Sequence, residues 1–199
     1  MKLFQFPPSG NCYKVRLLLS QLEIPVEIVN LDIQKGETRT DKFRTINPVA
    51  KVPTIELEPG VYLPESNAIL WYFAEGTPFL PSDRLARARV LQWMFFEQYS
   101  HEPYISVARN WISYVGVPKG KEAELKERQE RGRFALEVMN QALQNKNFFV
   151  ENTYTIADIA LYAYTHVANE GGFDLELYPA VRVWLDRVAA QPLHIGIKQ

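Results

Sequence analysis

The pattern of apolar residues changes character once along this chain, at Gly76-Thr77-Pro78-Phe79-Leu80-Pro81, and that change governs what the chain can become. Before it, strand and helix signals alternate. Residues 2–6 form a short apolar-rich run, stopped by Pro7-Pro8-Ser9-Gly10. Residues 11–22 carry Val15, Leu18, Leu19 and Leu22 at helical spacing. Pro25 ends that helix, and residues 26–31 read as a second strand, so the pair forms a βαβ unit with parallel strands. Residues 32–45 are polar, with room for one short irregular helix. Residues 54–57 and 61–63 flank Glu58-Pro59-Gly60, a hairpin signal, and residues 66–74 read as a helix ending near Gly76. After the Pro-punctuated segment there is no strand signal. Residues 84–115 are one long helical pattern with a bend expected at Pro103, and further helices are predicted over 121–144, 155–169 and 179–190. Strand-containing first and helical second means two packed units of different class. The predicted division is residues 1–76, a linker over 77–83, and an all-helical domain over 84–199.

At 199 residues the chain is long enough to bury a sizeable core. A formal net charge of −1 gives no basic surplus, so neither nucleic acid nor an anionic membrane is an expected partner. No apolar run approaches the roughly 18 residues of a membrane span, and the N-terminus lacks the apolar core of a signal peptide. Cys12 is the single cysteine, which excludes an intramolecular disulfide and a cysteine zinc site. A reducing compartment fits, and the expected location is cytoplasmic. His101, His166 and His194 lack metal-ligand spacing, so no metal is expected. Residues 119–133 mix charges of both signs, as a solvated helix face does.

The βαβ then ββα order is the thioredoxin-like topology, in which the turn after the first strand presents the reactive group. Here that turn is Pro7-Pro8-Ser9-Gly10-Asn11-Cys12. A helix N-terminus offers unpaired N–H groups and partial positive charge, and so favours an adjacent anion such as a thiolate. Ser9 adds a hydroxyl able to donate to sulfur. From spacing alone, a plain N-cap role for Ser9 or Asn11 is the favoured reading. In Asn47-Pro48-Val49-Ala50-Lys51-Val52-Pro53-Thr54, a cis Val52–Pro53 bond would turn the backbone of Val52 outward, where it can pair with another peptide as an added strand does. A trans bond makes Pro53 an edge-strand proline instead. In the third segment, Glu65-Ser66 opens a helix: Ser66 can serve a carboxylate and Glu65 an ammonium, or both can merely cap.

Together these segments resemble the glutathione transferase family over nearly the whole chain. Ser9-Gly10-Asn11-Cys12-Tyr13-Lys14-Val15-Arg16-Leu17 is similar to the first-helix motif of its serine-type and bacterial members. Lys51-Val52-Pro53-Thr54 is similar to the cis-proline motif, and Glu65-Ser66 to the motif for the γ-glutamyl end. Thr155-Ile156-Ala157-Asp158 resembles the family's buried capping box, in which Thr155 caps the helix and Asp158 reaches back, a stability role. The resemblance implies that Ser9 hydrogen-bonds the glutathione sulfur and that Val52, held by Pro53, pairs with the cysteinyl backbone. It further implies that Glu65 and Ser66 bind the γ-glutamyl group and that Lys51 meets the glycyl carboxylate. Asn11 and Cys12 are the alternative activators, since relatives use Asn or Cys near this point. Tyr104, Ala108 and Trp111 share a helix face and form either an apolar wall for the second substrate or core. The implied activity is a transferase, with glutathione as cosubstrate, a small electrophile as second substrate, no other cofactor, a homodimeric state and a role in detoxification. The rivals are a thiol-disulfide oxidoreductase using Cys12, a glutathione-dependent isomerase of the maleylacetoacetate type, and a non-enzymatic interaction module.

Overall fold

In the computed structural model, which describes residues 1–199, strand β1 (Lys2–Gln5) buries Leu3 and Gln5 on one face. The run stops at Pro7, and helix α1 (Gly10–Gln21) begins three residues later. Ser9 is its N-cap: the backbone is extended at φ −70° and ψ 123°, and Oγ accepts the Cys12 N–H at 3.3 Å. α1 closes at Leu22, and Glu23 turns the chain with a left-handed φ of 54°. Strand β2 (Glu27–Asn30) then lies parallel to β1, from Lys2 opposite Glu27 to Gln5 opposite Asn30. The polar stretch resolves into a 3-10 turn (Glu37–Arg39) and helix α2 (Asp41–Ile46), which Thr40 caps. β3 (Thr54–Glu58) runs antiparallel to β1 and β4 (Val61–Pro64) antiparallel to β3, giving the sheet order β2-β1-β3-β4. Gly60, at φ 83°, makes the tight turn between them. Helix α3 (Ser66–Ala74) follows. Leu3 and Ile55 of the sheet, Val15 and Leu19 of α1, and Ile69 of α3 form one buried cluster. The thioredoxin-like βαβ-ββα arrangement read from the sequence is therefore present, with helices covering the central strands.

The second unit is helical, as expected. Asp83 caps α4 (Arg84–Phe96) by accepting the Leu85 and Ala86 N–H groups at 2.9 and 2.8 Å. A π-helical turn (Glu97–His101) leads to α5 (Glu102–Asn110), and a second π turn spans Trp111–Val115. The helical pattern expected to bend at Pro103 thus changes its pairing just before that residue, in the π turn. Pro103 sits in the first turn of α5, where its missing N–H costs no helical hydrogen bond, and the π turn ahead of it absorbs the change of pairing. α6 (Glu122–Ala142), α7 (Ile156–Thr165) and α8 (Pro179–Ala189) complete the unit. Every residue of α7 is buried, which makes it the unit's central helix.

The division falls at different residues from those predicted. The units are Met1–Thr77 with Pro192–Gln199, and Pro78–Gln191. The predicted linker belongs mainly to the helical unit, where Phe79 O accepts the Ile156 N–H at 3.0 Å and Leu80 is buried. The last eight residues, assigned to the helical domain, belong instead to the first unit. The reason is polar: Tyr13 Oη donates to Ile195 O at 2.7 Å, Arg16 to Ile197 O at 2.8 Å and Ser20 to Leu193 O at 2.9 Å. A segment held through its carbonyls carries no hydrophobic period for sequence reading to find.

Candidate functional site

The sheet register gathers the three singled-out segments at one end. Phe4 of β1 pairs with Thr54 of β3, and Thr54 with Pro64 of β4. The loop that leaves β1, the loop that enters β3 and the start of α3 therefore emerge together.

At the first loop, Ser9 is half-buried. Its N–H donates to Phe6 O at 3.0 Å, and Oγ accepts the Cys12 N–H at 3.3 Å, which places the hydroxyl at the helix N-terminus beside the Cys12 sulfur. Cys12 is fully buried, and its sulfur accepts the Phe6 N–H at 3.4 Å. Burial pushes the thiol up to about 11, against the opposing pull of the Phe6 N–H, the Ser9 contact and the Arg16 and Lys14 charges. Cys12 therefore packs as a buried side chain of α1, with its thiol held above the usual range.

At the second loop, the Val52–Pro53 bond is cis. Asn47, 2% exposed, organises the approach. Its Nδ2 donates to Lys51 O at 2.9 Å and to Thr54 Oγ1 at 3.1 Å, while Oδ1 accepts the Val49 N–H at 3.0 Å. Ala50 is left-handed at φ 58°, Lys51 is exposed, Val52 half-buried and Pro53 buried.

At the third, Glu65 is exposed and holds φ 71°, ψ 112°, a conformation costly for a residue with a Cβ. It delivers Ser66 to the first position of α3. Ser66 Oγ donates to Asn11 Oδ1 at 3.3 Å and accepts from Lys14 Nζ at 3.4 Å. Lys14 is fully buried, and Ser66 is 5% exposed. The N-terminal turns of α1 and α3 thus meet through Asn11, Ser66 and a buried ammonium, and both helix ends carry partial positive charge. Such an arrangement suits an anionic ligand.

In the helical unit, Ala108 is fully buried; the Tyr104 hydroxyl accepts from Arg131 at 3.3 Å, and the Arg128 guanidinium lies 5.5 Å from the Trp111 ring centroid. The last of the three stands in the second π turn, outside α5. Packing against α6 accounts for these positions. Sequence reading missed Lys14, Asn47 and Arg16. Lys14 and Arg16 had one signal, charged residues inside an otherwise apolar helix; Asn47 had only an Asn-Pro dipeptide, which reads as a turn.

The capping box is complete: Asp158 Oδ2 accepts the Thr155 N–H at 3.0 Å, and Thr155 Oγ1 accepts the Ala157 N–H at 3.3 Å. Asp158 Oδ1 also accepts from Phe149 N–H at 3.2 Å and Trp184 Nε1–H at 2.9 Å. Burial lifts its carboxyl to about 6 in spite of these donors.

A thioredoxin-like unit joined to a helical one, with a serine at the first helix N-cap and a cis proline before the third strand, defines a class, and comparison with known proteins gives the family. Residues 1–75 match the model of the glutathione S-transferase N-terminal domain, and residues 93–192 that of its C-terminal domain. The chain belongs to the glutathione S-transferase family. A crystal structure of a glutathione S-transferase from Pseudomonas fluorescens is similar, at 49% identity and a TM-score of 0.97, covering 100% of this chain and 98% of that one. Another from Xanthobacter autotrophicus shares 46% identity with a TM-score of 0.92, covering 98% and 95%. Among curated proteins, the disulfide-bond oxidoreductase YfcG of Escherichia coli is 30% identical over 194 residues, 94% of this chain and 89% of that protein.

Proposed function

We propose that the protein is a glutathione transferase in which Ser9 stabilises the glutathione thiolate for attack on a soft electrophile. The observation that carries this reading is the contrast within one turn: the Ser9 hydroxyl is half-buried at the N-terminus of α1, while Cys12 is buried and its thiol pushed up to about 11. In this reading Val52 pairs with the cysteinyl backbone, Ser66 and Glu65 hold the γ-glutamyl carboxylate and ammonium, and Lys51 meets the glycyl carboxylate. The thiol proton leaves to solvent. The sulfur lone pair forms a C–S bond, and the electrons displaced from carbon depart with a leaving group or move to a conjugated acceptor. A hydrogen bond and a helix end suffice to lower a thiol pKa by about one unit, worth roughly 1.4 kcal/mol. The same reading makes the protein a cytoplasmic homodimer.

A second reading is favoured by the likeness to YfcG. The same bound thiolate would attack a disulfide sulfur, releasing the other sulfur as thiolate and leaving a mixed disulfide on glutathione. The burial of Cys12 argues against routing that exchange through the protein's own cysteine. The deciding experiment compares Ser9→Ala and Cys12→Ala in conjugation and disulfide-exchange assays, together with the ultraviolet thiolate absorbance of the glutathione complex across pH. Ser9→Ala is expected to raise the bound thiol pKa by about one unit and to depress turnover. Cys12→Ala is expected to leave the thiol pKa in place. A mixed disulfide trapped on Cys12 would sink the serine reading.

A further inference from the structure

The segment 192–199 lies along α1, the helix whose N-terminus carries Ser9. Its attachment is regular. Tyr13, Arg16 and Ser20 stand at i, i+3 and i+7, one face of the helix, and each donates to a carbonyl of the segment. Tyr13 Oη also lies 3.2 Å from His194 Nε2, and Gln21 Nε2 reaches Pro192 O at 3.4 Å. Arg16 differs from the other members of this row. It is 7% exposed, and the same Nη2 that donates to Ile197 O at 2.8 Å also donates to Pro7 O at 3.2 Å, while Nη1 donates to Gln199 O. Pro7 is two residues before Ser9. One planar guanidinium therefore spans the terminal segment and the loop that presents the hydroxyl.

Pro7 and Pro8 have no N–H to donate. Among the contacts that hold the loop are the Phe6 N–H on the Cys12 sulfur at 3.4 Å, the Ser9 N–H on Phe6 O at 3.0 Å, the Ser9 Oγ contact with Cys12, and Arg16 on Pro7 O. Arg16 stands one turn beyond Cys12 and ties the loop to the distant residue Ile197. We propose that Arg16 is a positioning residue that uses the terminal segment 192–199 as its anchor to fix the Pro7-Pro8-Ser9 loop, so that the Ser9 hydroxyl meets the glutathione sulfur. This rests on the assignment of Ser9 as thiolate donor.

The fork geometry matters and the charge alone does not. A lysine at this position keeps the cation but cannot join Pro7 O, Ile197 O and Gln199 O in one plane. Since a buried cation also lowers a nearby thiol pKa through space, the test must separate position from charge.

The experiment measures the pKa of bound glutathione from its thiolate absorbance in full-length wild type, Ser9→Ala, Arg16→Gln, Arg16→Lys, Tyr13→Phe, and Ser9→Ala combined with Arg16→Gln. Calorimetric glutathione affinity and circular dichroism are taken alongside. Arg16→Gln and Arg16→Lys are each expected to raise the bound thiol pKa by about half a unit or more, toward the Ser9→Ala value of about one unit. In the Ser9→Ala background Arg16→Gln is expected to add nothing further. Tyr13→Phe removes only the hydroxyl that grips the segment and keeps the ring in the core. It is expected to shift the pKa in the same direction by less, and it tests the anchor even if the Arg16 variants fold poorly. Restoration of the wild-type pKa by Arg16→Lys, or an equal shift from Arg16→Gln with and without Ser9, would make Arg16 a charge effect and overturn the proposal. So would an unmoved pKa in both folded Arg16→Gln and Tyr13→Phe. If Ser9→Ala itself leaves the thiol pKa unchanged, the underlying assignment of Ser9 fails first, and that result is distinct from the others.

Discussion

Ser9 and Cys12 stand three residues apart in sequence, and burial separates their chemistry. A thiol held at about 11 is almost wholly protonated at neutral pH, and reaction with an alkylating agent needs the thiolate. Native protein is therefore expected to resist iodoacetamide at pH 7.5, with modification appearing only on unfolding; mass spectrometry of native and denatured samples checks this. Rapid native labelling would mean that the α1 N-terminus opens readily and would revive Cys12 as a reactive group. Ser66 makes the complementary case. Its hydroxyl donates to Asn11 and accepts from Lys14, so a bound carboxylate would take that hydrogen in place of Asn11. Ser66→Ala is expected to weaken glutathione binding by about 1–3 kcal/mol in calorimetry, the range for a hydrogen bond to a charged group. Unchanged affinity would remove Ser66 from the site. The positions of Ser9 and Ser66 at the starts of α1 and α3 were legible in the sequence, because capping and helix-opening chemistry show as motifs. Lys14 was not legible as a site residue, because the Ser66 it meets lies 52 positions away and only the fold brings them together.

At the scale of elements, α7 shows how one box can tie a whole helical unit. Asp158 joins the α7 N-terminus to the chain at Phe149 and to Trp184 of α8, and it does so fully buried. Asp158→Ala strands the Phe149 N–H and the Trp184 Nε1–H. It is expected to cost more than the roughly 0.5–2 kcal/mol of a lost cap, because each buried unpaired donor adds about 1–3 kcal/mol. Any folded mutant should retain near wild-type turnover; a stable but inactive one would move Asp158 into the active site. The raised carboxyl also sets a sign. With a folded value of about 6 against 3.8 in the unfolded chain, the native state binds the proton more tightly. The contribution of this group is greatest below pH 4 and is lost as pH rises through 6, by about 3 kcal/mol. Asp158→Asn cannot titrate, so its stability deficit against wild type should narrow from pH 4 to pH 7 in denaturant melts. A deficit that widens would mean that the Thr155, Phe149 and Trp184 donors hold the carboxyl ionised. The box itself could be read from Thr155 and Asp158. The π turns could not, because a residue inserted into a helix leaves the average apolar period almost unchanged over a window of this length.

For the whole molecule, the change of pattern near residue 77 gave the two units, since strand and helix periods differ and each reports its own class of packing. The placement of 192–199 was invisible for the opposite reason: polar side chains hold that segment through its carbonyls. Assembly is the remaining level. Along α4 and the π turn after it, Leu85, Phe95 and Tyr99 are 56%, 69% and 82% exposed. Positions i, i+10 and i+14 fall on one side of a helix, so these three side chains form a stripe and not a scatter. In a twofold dimer the same stripe serves both partners, and a single substitution is felt twice. Wild-type protein is expected to sediment at twice the chain mass at micromolar concentration, and Phe95→Glu with Tyr99→Glu to sediment as monomer. The paired charges would face each other across the axis, where like charges and lost apolar burial both oppose contact. Circular dichroism should be unchanged, because both side chains lie outside the core. A wild-type monomer would remove the dimer from the proposed function. A dimer that survives both substitutions would place the contact on another surface.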